Sequence, residues 1–131
     1  AFERRHGIPV RNILGMTETA GVIAIEPTAG PRTPGACGLP LPFTEVQIRR
    51  LDGAPAAAGE SGILHVRAPN VSPGYTDPTR DAGTFVGDGW LASGDIGHLD
   101  AAGRVFVTGR AKDVIIRGAH NIDPGLIEGA L

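Results

Sequence analysis

Glycine and proline interrupt this chain so often that a long helix or strand has little room to form. The 131 residues include 20 glycines and 11 prolines, which separate short apolar runs and do not cluster into a low-complexity segment. Hydrophobic residues make up 41% of the sequence, which is enough for one modest core. This pattern predicts many short strands joined by turns, in a small barrel or sandwich.

The individual runs predict where several of these elements lie. AFERRHGIPV is typical of a helix end closed by Gly7 and Pro9, followed by a strand from Val10 to Leu14. The runs EVQIRR, GILHVRA and GRVFVTGR, rich in β-branched residues, predict three more strands. Residues 26 to 42 carry five prolines and predict a connecting loop, because proline removes donors from a β-ladder.

The end of the chain predicts a change from strand to helix. Val114 to Ile116 is expected to form a strand that ends in a glycine turn. Asp123 and Pro124 then provide an N-cap and a first-turn proline for a helix.

Charge and cysteine content exclude some classes of function. Twelve Lys and Arg against fourteen Asp and Glu give a net charge of -2 without a basic run, which argues against a nucleic-acid partner. The single cysteine, Cys37, has no internal disulfide partner, which fits a reducing compartment. Neither a signal peptide nor an apolar span of about 20 residues is evident, so a cytoplasmic location is expected.

Histidines and serines do not predict a metal centre or a hydrolase. Ser72 and Ser93 lack the context of a nucleophile elbow, so a catalytic triad is not supported. Cys37 and the histidines form no recognisable ligand set and are expected to be structural or surface residues. The four histidines are His6, His65, His98 and His120.

Three polar stretches carry the candidate functional residues, each with a plain structural alternative. In NILGMTETAG, Thr17 and Glu18 either cap a turn or hold a phosphate or metal. In GWLASGDIG, Asp95 is either a turn residue or a carboxylate that accepts hydrogen bonds from a sugar diol. In GRAKD, Arg110 either belongs to a solvated turn or contacts phosphate or ribose.

The order of four segments points further than any one of them. LGMTE, GESGILHVRAPNVSPGY, GWLASGDIG and GRVFVTGRAKDVIIRGAHNIDPGLIE resemble, in this order, the adenylate-forming superfamily of acyl-CoA synthetases, nonribosomal-peptide adenylation domains and luciferases. The resemblance covers nearly the whole chain, and its last segment is most similar to fatty- or aryl-acid CoA ligases. It implies an enzyme that makes an acyl-AMP from a carboxylic acid and ATP with Mg²⁺, and then transfers the acyl group to CoA.

The resemblance assigns roles to residues on the nucleotide motif. Gly15 and Met16 belong to the nucleotide-binding segment, Thr17 would contact the α-phosphate, and Glu18 would help to hold Mg²⁺. Asp95 would accept hydrogen bonds from both ribose hydroxyls. Hydrogen-bond donors and a metal ion in these positions would neutralise the negative charge that develops at the phosphoryl centre.

Further roles follow for the end of the chain. Arg110 would reach the ribose and phosphate region and complete a catalytic set with Thr17 and Glu18. Lys112 matches the hinge residue about which the smaller domain turns between the two half-reactions. Gly118 and Ala119 match the loop that lines the tunnel for the CoA pantetheine arm.

Three positions depart from the family pattern. Leu14 stands where an aromatic residue commonly stacks on adenine, so ATP would bind without ring stacking. Ala119 replaces a second glycine beside the proposed tunnel. The usual TGD reads SGD, which keeps Asp95.

The implied fold is α+β and strand-rich, and the chain is expected to be an internal fragment. Residues 1–110 would be the C-terminal portion of the AMP-binding N-terminal domain, with a β-barrel-like subdomain at about 38–110. Residues 111–131 would be the hinge and the start of a small α+β C-terminal domain. The family's phosphate loop and catalytic lysine are not found in this sequence, so the chain alone is expected to be inactive.

Two alternatives stay open on the sequence. One is an amino-acid adenylation domain that loads a carrier protein instead of free CoA. The other is a non-catalytic β-barrel binding module whose Asp and Arg residues lie on its surface.

Overall fold

The computed structural model describes residues 2–113, 115–117 and 120–122. This part of the chain contains one short helix and nine strands: α1 (Phe2–His6), β1 (Ile13–Met16), β2 (Gly21–Ile25), β3 (Ala36–Pro40), β4 (Glu45–Arg49), β5 (Gly62–Arg67), β6 (Trp90–Leu99), β7 (Val105–Arg110), β8 (Ile115–Arg117) and β9 (His120–Ile122). Three short 3-10 turns, Thr17–Thr19, Pro78–Arg80 and Ala111–Asp113, accompany them. The strand-rich fold class is therefore confirmed.

Seven of the strands form one antiparallel sheet in the order β1-β2-β3-β7-β6-β5-β4, and β8 pairs with β9 in a separate hairpin. The large sheet is open, because β1 and β4 lie at its two ends without a ladder between them. The sheet is curved like a barrel but does not close into one. A closed barrel was one of the forms that the sequence allowed.

A single buried cluster explains the curvature. Ile23 on β2 and Ile48 on β4 lie near opposite ends of the sheet, yet both belong to the same core as Leu64, Val66 and Val105. The sheet curls until strands near its two ends bury their apolar side chains together, which removes that surface from water.

The strands predicted from EVQIRR, GILHVRA and GRVFVTGR are confirmed as β4, β5 and β7. The helix end at the start is confirmed as α1, with Gly7 at φ +65° after it. β1 begins at Ile13 and not at Val10. No strand was predicted for β2.

The prediction that residues 26–42 form only a loop was wrong, because β3 lies inside this range. Pro40 is its last residue, at the strand end, where the loss of an N–H disturbs the ladder least. Gly38 is required, because a Cβ there would overlap the backbone of Ile25. β3 consequently joins β2 to β7 and completes the sheet.

Of the two alternatives for Asp95, the turn residue does not hold, since Asp95 lies within β6, a strand of ten residues. Val114, the glycine turn at Gly118 and the helix predicted after Asp123 lie outside the described residues. Among the helices in the described ranges, none has the length and hydrophobicity needed to cross a membrane.

Candidate functional site

The end of β1 delivers the motif residues into the site. Gly15 lies so close to β2 that a Cβ at this position would overlap the carbonyl oxygen of Gly21. The register shifts between Leu14 and Gly15, so the pair of strands contains a bulge there. A residue without a side chain is therefore needed for β1 to reach Thr17 in this register.

The Thr17–Thr19 turn divides its polar residues between two tasks. The Thr19 hydroxyl is buried and lies 3.0 Å from the carbonyl oxygen of Met16 and 2.9 Å from that of Gly21. Thr17 is exposed and Glu18 is half-buried. Thr19 thus stabilises the turn, and Thr17 and Glu18 are its more accessible residues.

Glu18 is held by residues from far along the chain. Its carbonyl oxygen accepts a 2.7 Å hydrogen bond from the Ser72 N–H, and its Oε1 accepts a 2.6 Å hydrogen bond from the Tyr75 hydroxyl. That bond to the carboxylate raises the pKa of Tyr75, because ionising the phenol would remove its donor hydrogen beside a negative charge. Tyr75 is therefore a neutral donor at physiological pH.

Asp95 and Arg110 face each other across β6 and β7. They are register partners, and the Arg110 Nε lies 2.6 Å from the Asp95 Oδ1. The Asp95 side chain is only 10% exposed, whereas the Arg110 side chain is 57% exposed. A buried carboxylate requires a charged or hydrogen-bonding partner, and Arg110 supplies one while its guanidinium stays accessible.

A distortion of β6 places Asp95. Ile63 pairs with Ile96 and His65 with Ala92, so three residues of β6, Ser93 to Asp95, lie opposite the single Leu64 of β5. The Asp95 N–H donates to the Ser93 Oγ at 3.0 Å, and Gly94 has a φ of +75° that favours glycine. Bulges of this kind turn side chains away from the regular pleat.

The Thr17–Thr19 turn and the pair Asp95 and Arg110 line the two sides of one open cleft of about 690 Å³, here named the motif cleft. Its lining brings together residues from three separate parts of the sequence: Leu14, Gly15, Met16, Thr17, Glu18, Ser93, Asp95, Val107, Thr108, Gly109 and Arg110. Six residues that the sequence selected for nucleotide contact are among them. Leu14, in the position of the usual aromatic residue, supplies an apolar wall.

Other predicted residues lie apart from this cleft. Lys112 is exposed in the Ala111–Asp113 turn and is not among the cleft-lining residues. Gly118 and Ala119 lie outside the described residues. Burial lowers the pKa of His65 and raises the pKa of the Cys37 thiol, so both groups favour their neutral forms.

The motif cleft suits a metal ion that takes most of its ligands from a bound phosphate group and from water. In the part of the chain that the structure describes, no cluster of three His, Cys, Asp or Glu residues is placed to hold a metal ion. Mg²⁺ at nucleotide sites needs only one or two carboxylates, because phosphate oxygens and water supply the remaining ligands. Glu18, half-buried at the cleft with its carboxylate held by Tyr75, fits that requirement.

Sequence reasoning missed the residues that support the Thr17–Thr19 turn. Asn70 donates from its side-chain amide to the Thr19 carbonyl, and Ser72 and Tyr75 contact Glu18. Tyr75 closes the quoted segment GESGILHVRAPNVSPGY and is the only tyrosine in the chain. Its position in a segment that resembles the family could have marked it as a candidate, but its contact with Glu18 is visible only in the fold.

Comparison with known proteins identifies the family to which this strand-rich fold belongs. The model of the family described as "AMP-binding enzyme" matches residues 1–76, and this chain belongs to that family. Among its relatives, a sulfoacetate–CoA ligase from Cupriavidus necator is 42% identical over 135 residues, which span this whole chain and 26% of that protein.

Solved structures agree with this assignment. ATP-bound MatB from Rhodopseudomonas palustris is 35% identical, with a TM-score of 0.87 over 98% of this chain and 26% of that one. The O-succinylbenzoate coenzyme A synthetase from Bacillus subtilis, in complex with ATP and magnesium, is 34% identical, with a TM-score of 0.81 over 97% of this chain and 27% of that one. The chain spans about a quarter of the length of the curated relatives that it matches.

Proposed function

We propose that this chain forms one wall of the nucleotide site in a longer acid–CoA ligase. That enzyme would activate a fatty or aryl carboxylic acid with ATP and transfer the acyl group to CoA. The observation that carries the proposal is the motif cleft, where Gly15 to Glu18 meet Asp95 and Arg110. Relatives named as CoA ligases favour this function over a carrier-loading domain or a non-catalytic binding module.

The proposed chemistry has two steps. A carboxylate oxygen of the acid attacks the α-phosphorus of ATP, the bond from that phosphorus to the bridging oxygen breaks, and pyrophosphate leaves. The CoA thiolate then attacks the acyl carbon, and AMP leaves with the electron pair of the broken acyl–oxygen bond. Both steps spread negative charge over phosphate oxygens, which must be stabilised.

Thr17, Glu18 and Arg110 are the proposed catalytic residues. The exposed Thr17 hydroxyl donates to an α-phosphate oxygen, and the accessible part of the Arg110 guanidinium places positive charge beside the ribose and phosphates. Glu18 is the proposed protein ligand for Mg²⁺. When bound, this cation neutralises charge on the phosphates of ATP.

Asp95 is the proposed ribose-binding residue. Its carboxylate accepts hydrogen bonds from the two ribose hydroxyls, while the contact with Arg110 orients it. Gly15 and Met16 form the adjacent part of the nucleotide site. Because the Asp95 side chain is nearly buried, its position is set before the nucleotide binds.

The proposal extends to the division of the chain. Residues 1–110 would belong to the AMP-binding domain and residues 111–131 to the hinge and the next domain, with Lys112 at the hinge. Gly118 and Ala119 would lie beside the tunnel for CoA. The phosphate loop and the catalytic lysine would come from other parts of the longer protein, and a cytoplasmic location stays a prediction.

The test uses the complete protein that contains this chain. Pyrophosphate release is measured with ATP, Mg²⁺ and a panel of fatty and aryl acids, with and without CoA. We expect acid-dependent release, and we expect Lys112→Pro to keep adenylate formation but lose CoA-dependent turnover, since proline restricts the hinge torsions. Lys112→Ala is the matched control and should keep both steps. If none of the acids elicits release, the proposed function is wrong.

A further inference from the structure

The segment that joins β5 to β6 contacts the Thr17–Thr19 turn at three points. The Asn70 amide donates to the Thr19 carbonyl, and the Ser72 N–H donates to the Glu18 carbonyl at 2.7 Å. The Tyr75 hydroxyl donates to the Glu18 Oε1 at 2.6 Å. One segment therefore holds both the backbone and the carboxylate of the same residue, Glu18.

Tyr75 is itself held in place before it contacts Glu18. Its N–H donates to the Asp81 Oδ1 at 2.8 Å, and its ring packs edge-on against Phe85 with centroids 5.4 Å apart. The preceding Gly74 approaches Asp81 so closely that a Cβ would lie 2.9 Å from the Asp81 Oδ2. The position of the phenol oxygen thus follows from packing and hydrogen bonds that do not involve the motif cleft.

A phenol suits this position better than a cation would. A half-buried Glu side chain has several rotamers, and fixing one of them costs conformational entropy. A neutral hydroxyl restricts the carboxylate without cancelling its charge, whereas Lys or Arg would compete with a metal ion for that charge. Groups that orient a metal ligand in this way typically change metal affinity about 10- to 100-fold.

We propose that Tyr75 is a positioning residue that holds Glu18 in the rotamer required by a divalent cation bound to the nucleotide. The inference rests on the proposed function and deepens it, because it adds a residue that lies outside the lining of the motif cleft. It predicts that Tyr75 affects binding of the metal–nucleotide complex and leaves binding of the metal-free nucleotide unchanged.

The experiment uses the complete protein, with Mn²⁺ as a paramagnetic probe and a non-hydrolysable ATP analogue. Bound Mn²⁺ is measured by electron paramagnetic resonance, and binding of the analogue in the presence of a chelator is measured by calorimetry. Tyr75→Phe keeps the ring against Phe85 and removes only the hydroxyl. We expect it to weaken Mn²⁺–nucleotide binding about tenfold, with metal-free binding unchanged.

The matched control is Thr79→Ala, which removes a hydroxyl from the same segment. The Thr79 hydroxyl donates to the Asp77 Oδ1 at 2.6 Å and does not contact Glu18, so Mn²⁺ binding should equal that of the wild type. A second test combines Tyr75→Phe with Glu18→Ala. If Tyr75 acts through Glu18, the double variant should bind Mn²⁺–nucleotide no more weakly than Glu18→Ala alone.

The outcomes separate this inference from the proposed function. A wild-type protein that binds the Mn²⁺–nucleotide complex, together with a Tyr75→Phe variant of equal affinity, overturns the role of Tyr75 only. Equal weakening of metal-free and metal-bound nucleotide also overturns it, since that result indicates a general structural role. A wild-type protein that binds neither form of nucleotide overturns the proposed function and this inference together.

Discussion

The two sides of the motif cleft are held in place by different means. On one side, Thr17 and Glu18 lie in a short turn, and the Glu18 carboxylate accepts a hydrogen bond from Tyr75, 57 positions away in the sequence. On the other side, Asp95 and Arg110 lie on neighbouring strands and meet through their register. The strand side is fixed by local pairing, whereas the turn side depends on a distant segment.

The carboxylates on the two sides also differ in burial. The Asp95 side chain is almost inaccessible, while Glu18 is half-buried and Thr17 is exposed. A group that is buried and ion-paired costs more to replace than one in contact with water. Substitution of Asp95 should therefore have a larger effect on function than substitution on the turn side.

The largest effect is expected from Asp95→Asn in the complete protein. The amide keeps the shape of the side chain, but it weakens the ribose contacts and leaves Arg110 without its ion-pair partner. We expect kcat/KM for ATP to fall about 10- to 100-fold, because hydrogen bonds to a charged acceptor are roughly twice as strong as neutral ones. Steady-state kinetics of acid-dependent pyrophosphate release measures this change.

Asp88→Asn is the control for that measurement, because Asp88 is exposed and its φ of +51° is one that asparagine tolerates. Its kcat/KM should match that of the wild type. Similar values for Asp95→Asn and Asp88→Asn would contradict the assignment of Asp95 to the ribose.

A smaller effect is expected on the turn side from Gly15→Ala. The added Cβ would overlap the Gly21 carbonyl, so β1 and β2 must separate where they deliver Thr17 and Glu18. We expect a loss of about 1–3 kcal/mol in the free energy of unfolding, as for other overpacked sites, together with weaker ATP binding. Urea unfolding and calorimetry provide the two readouts.

Ile13→Ala serves as the comparison on the same strand, because Ile13 is 59% exposed. It should change the free energy of unfolding by no more than about 0.5 kcal/mol. If Gly15→Ala behaves like Ile13→Ala, the close approach of β1 and β2 is not required.

The smallest effect is expected at the turn that joins β6 and β7. The Asp100 Oδ1 accepts hydrogen bonds from the N–H groups of Ala102 and Arg104, each at 2.9 Å. The bond from the Arg104 N–H is the main reason why the pKa of Asp100 lies below its ordinary value of 3.8. Asp100→Asn should lower the melting temperature near pH 7 by a few degrees.

The sign of the pH dependence follows from that lowered pKa. Ionised Asp100 stabilises the folded protein above the ordinary value of 3.8, and this stabilisation is lost as the pH falls through the lowered pKa. The difference in melting temperature between wild type and Asp100→Asn should therefore shrink in acid. A difference that stays constant from about pH 7 to about pH 3 would exclude a contribution from this carboxylate.

Particular residues show how far the sequence could be interpreted. The strands β4, β5 and β7 were predictable because their β-branched residues alternate between turns. β3 was not, because Gly38 and Pro40 carry no strand propensity and the pairing of this strand depends on β2 and β7. The sequence left open that Asp95 is a turn residue, because Gly94 precedes it; in the structure Gly94 belongs to a bulge within β6.

The sequence indicated which segment is functional, but not which of its residues stabilise the turn and which face the motif cleft. Thr17 and Thr19 have the same side chain two positions apart, yet only Thr19 is buried, with its hydroxyl between two carbonyl oxygens. Local spacing does not separate them, because burial depends on which strands pack against the turn. Tyr75 was missed for the same reason.

By itself, the sequence determined the strand-rich class, the punctuation by glycine and proline, and the membership of an adenylate-forming family through four ordered segments. These are local properties, set by backbone propensity and by the chemistry of short motifs. Only the tertiary structure decided that the sheet stays open, that Asp95 pairs with Arg110, and that Tyr75 holds Glu18. Each of these depends on contacts between residues distant in sequence, which form when the curled sheet buries its core.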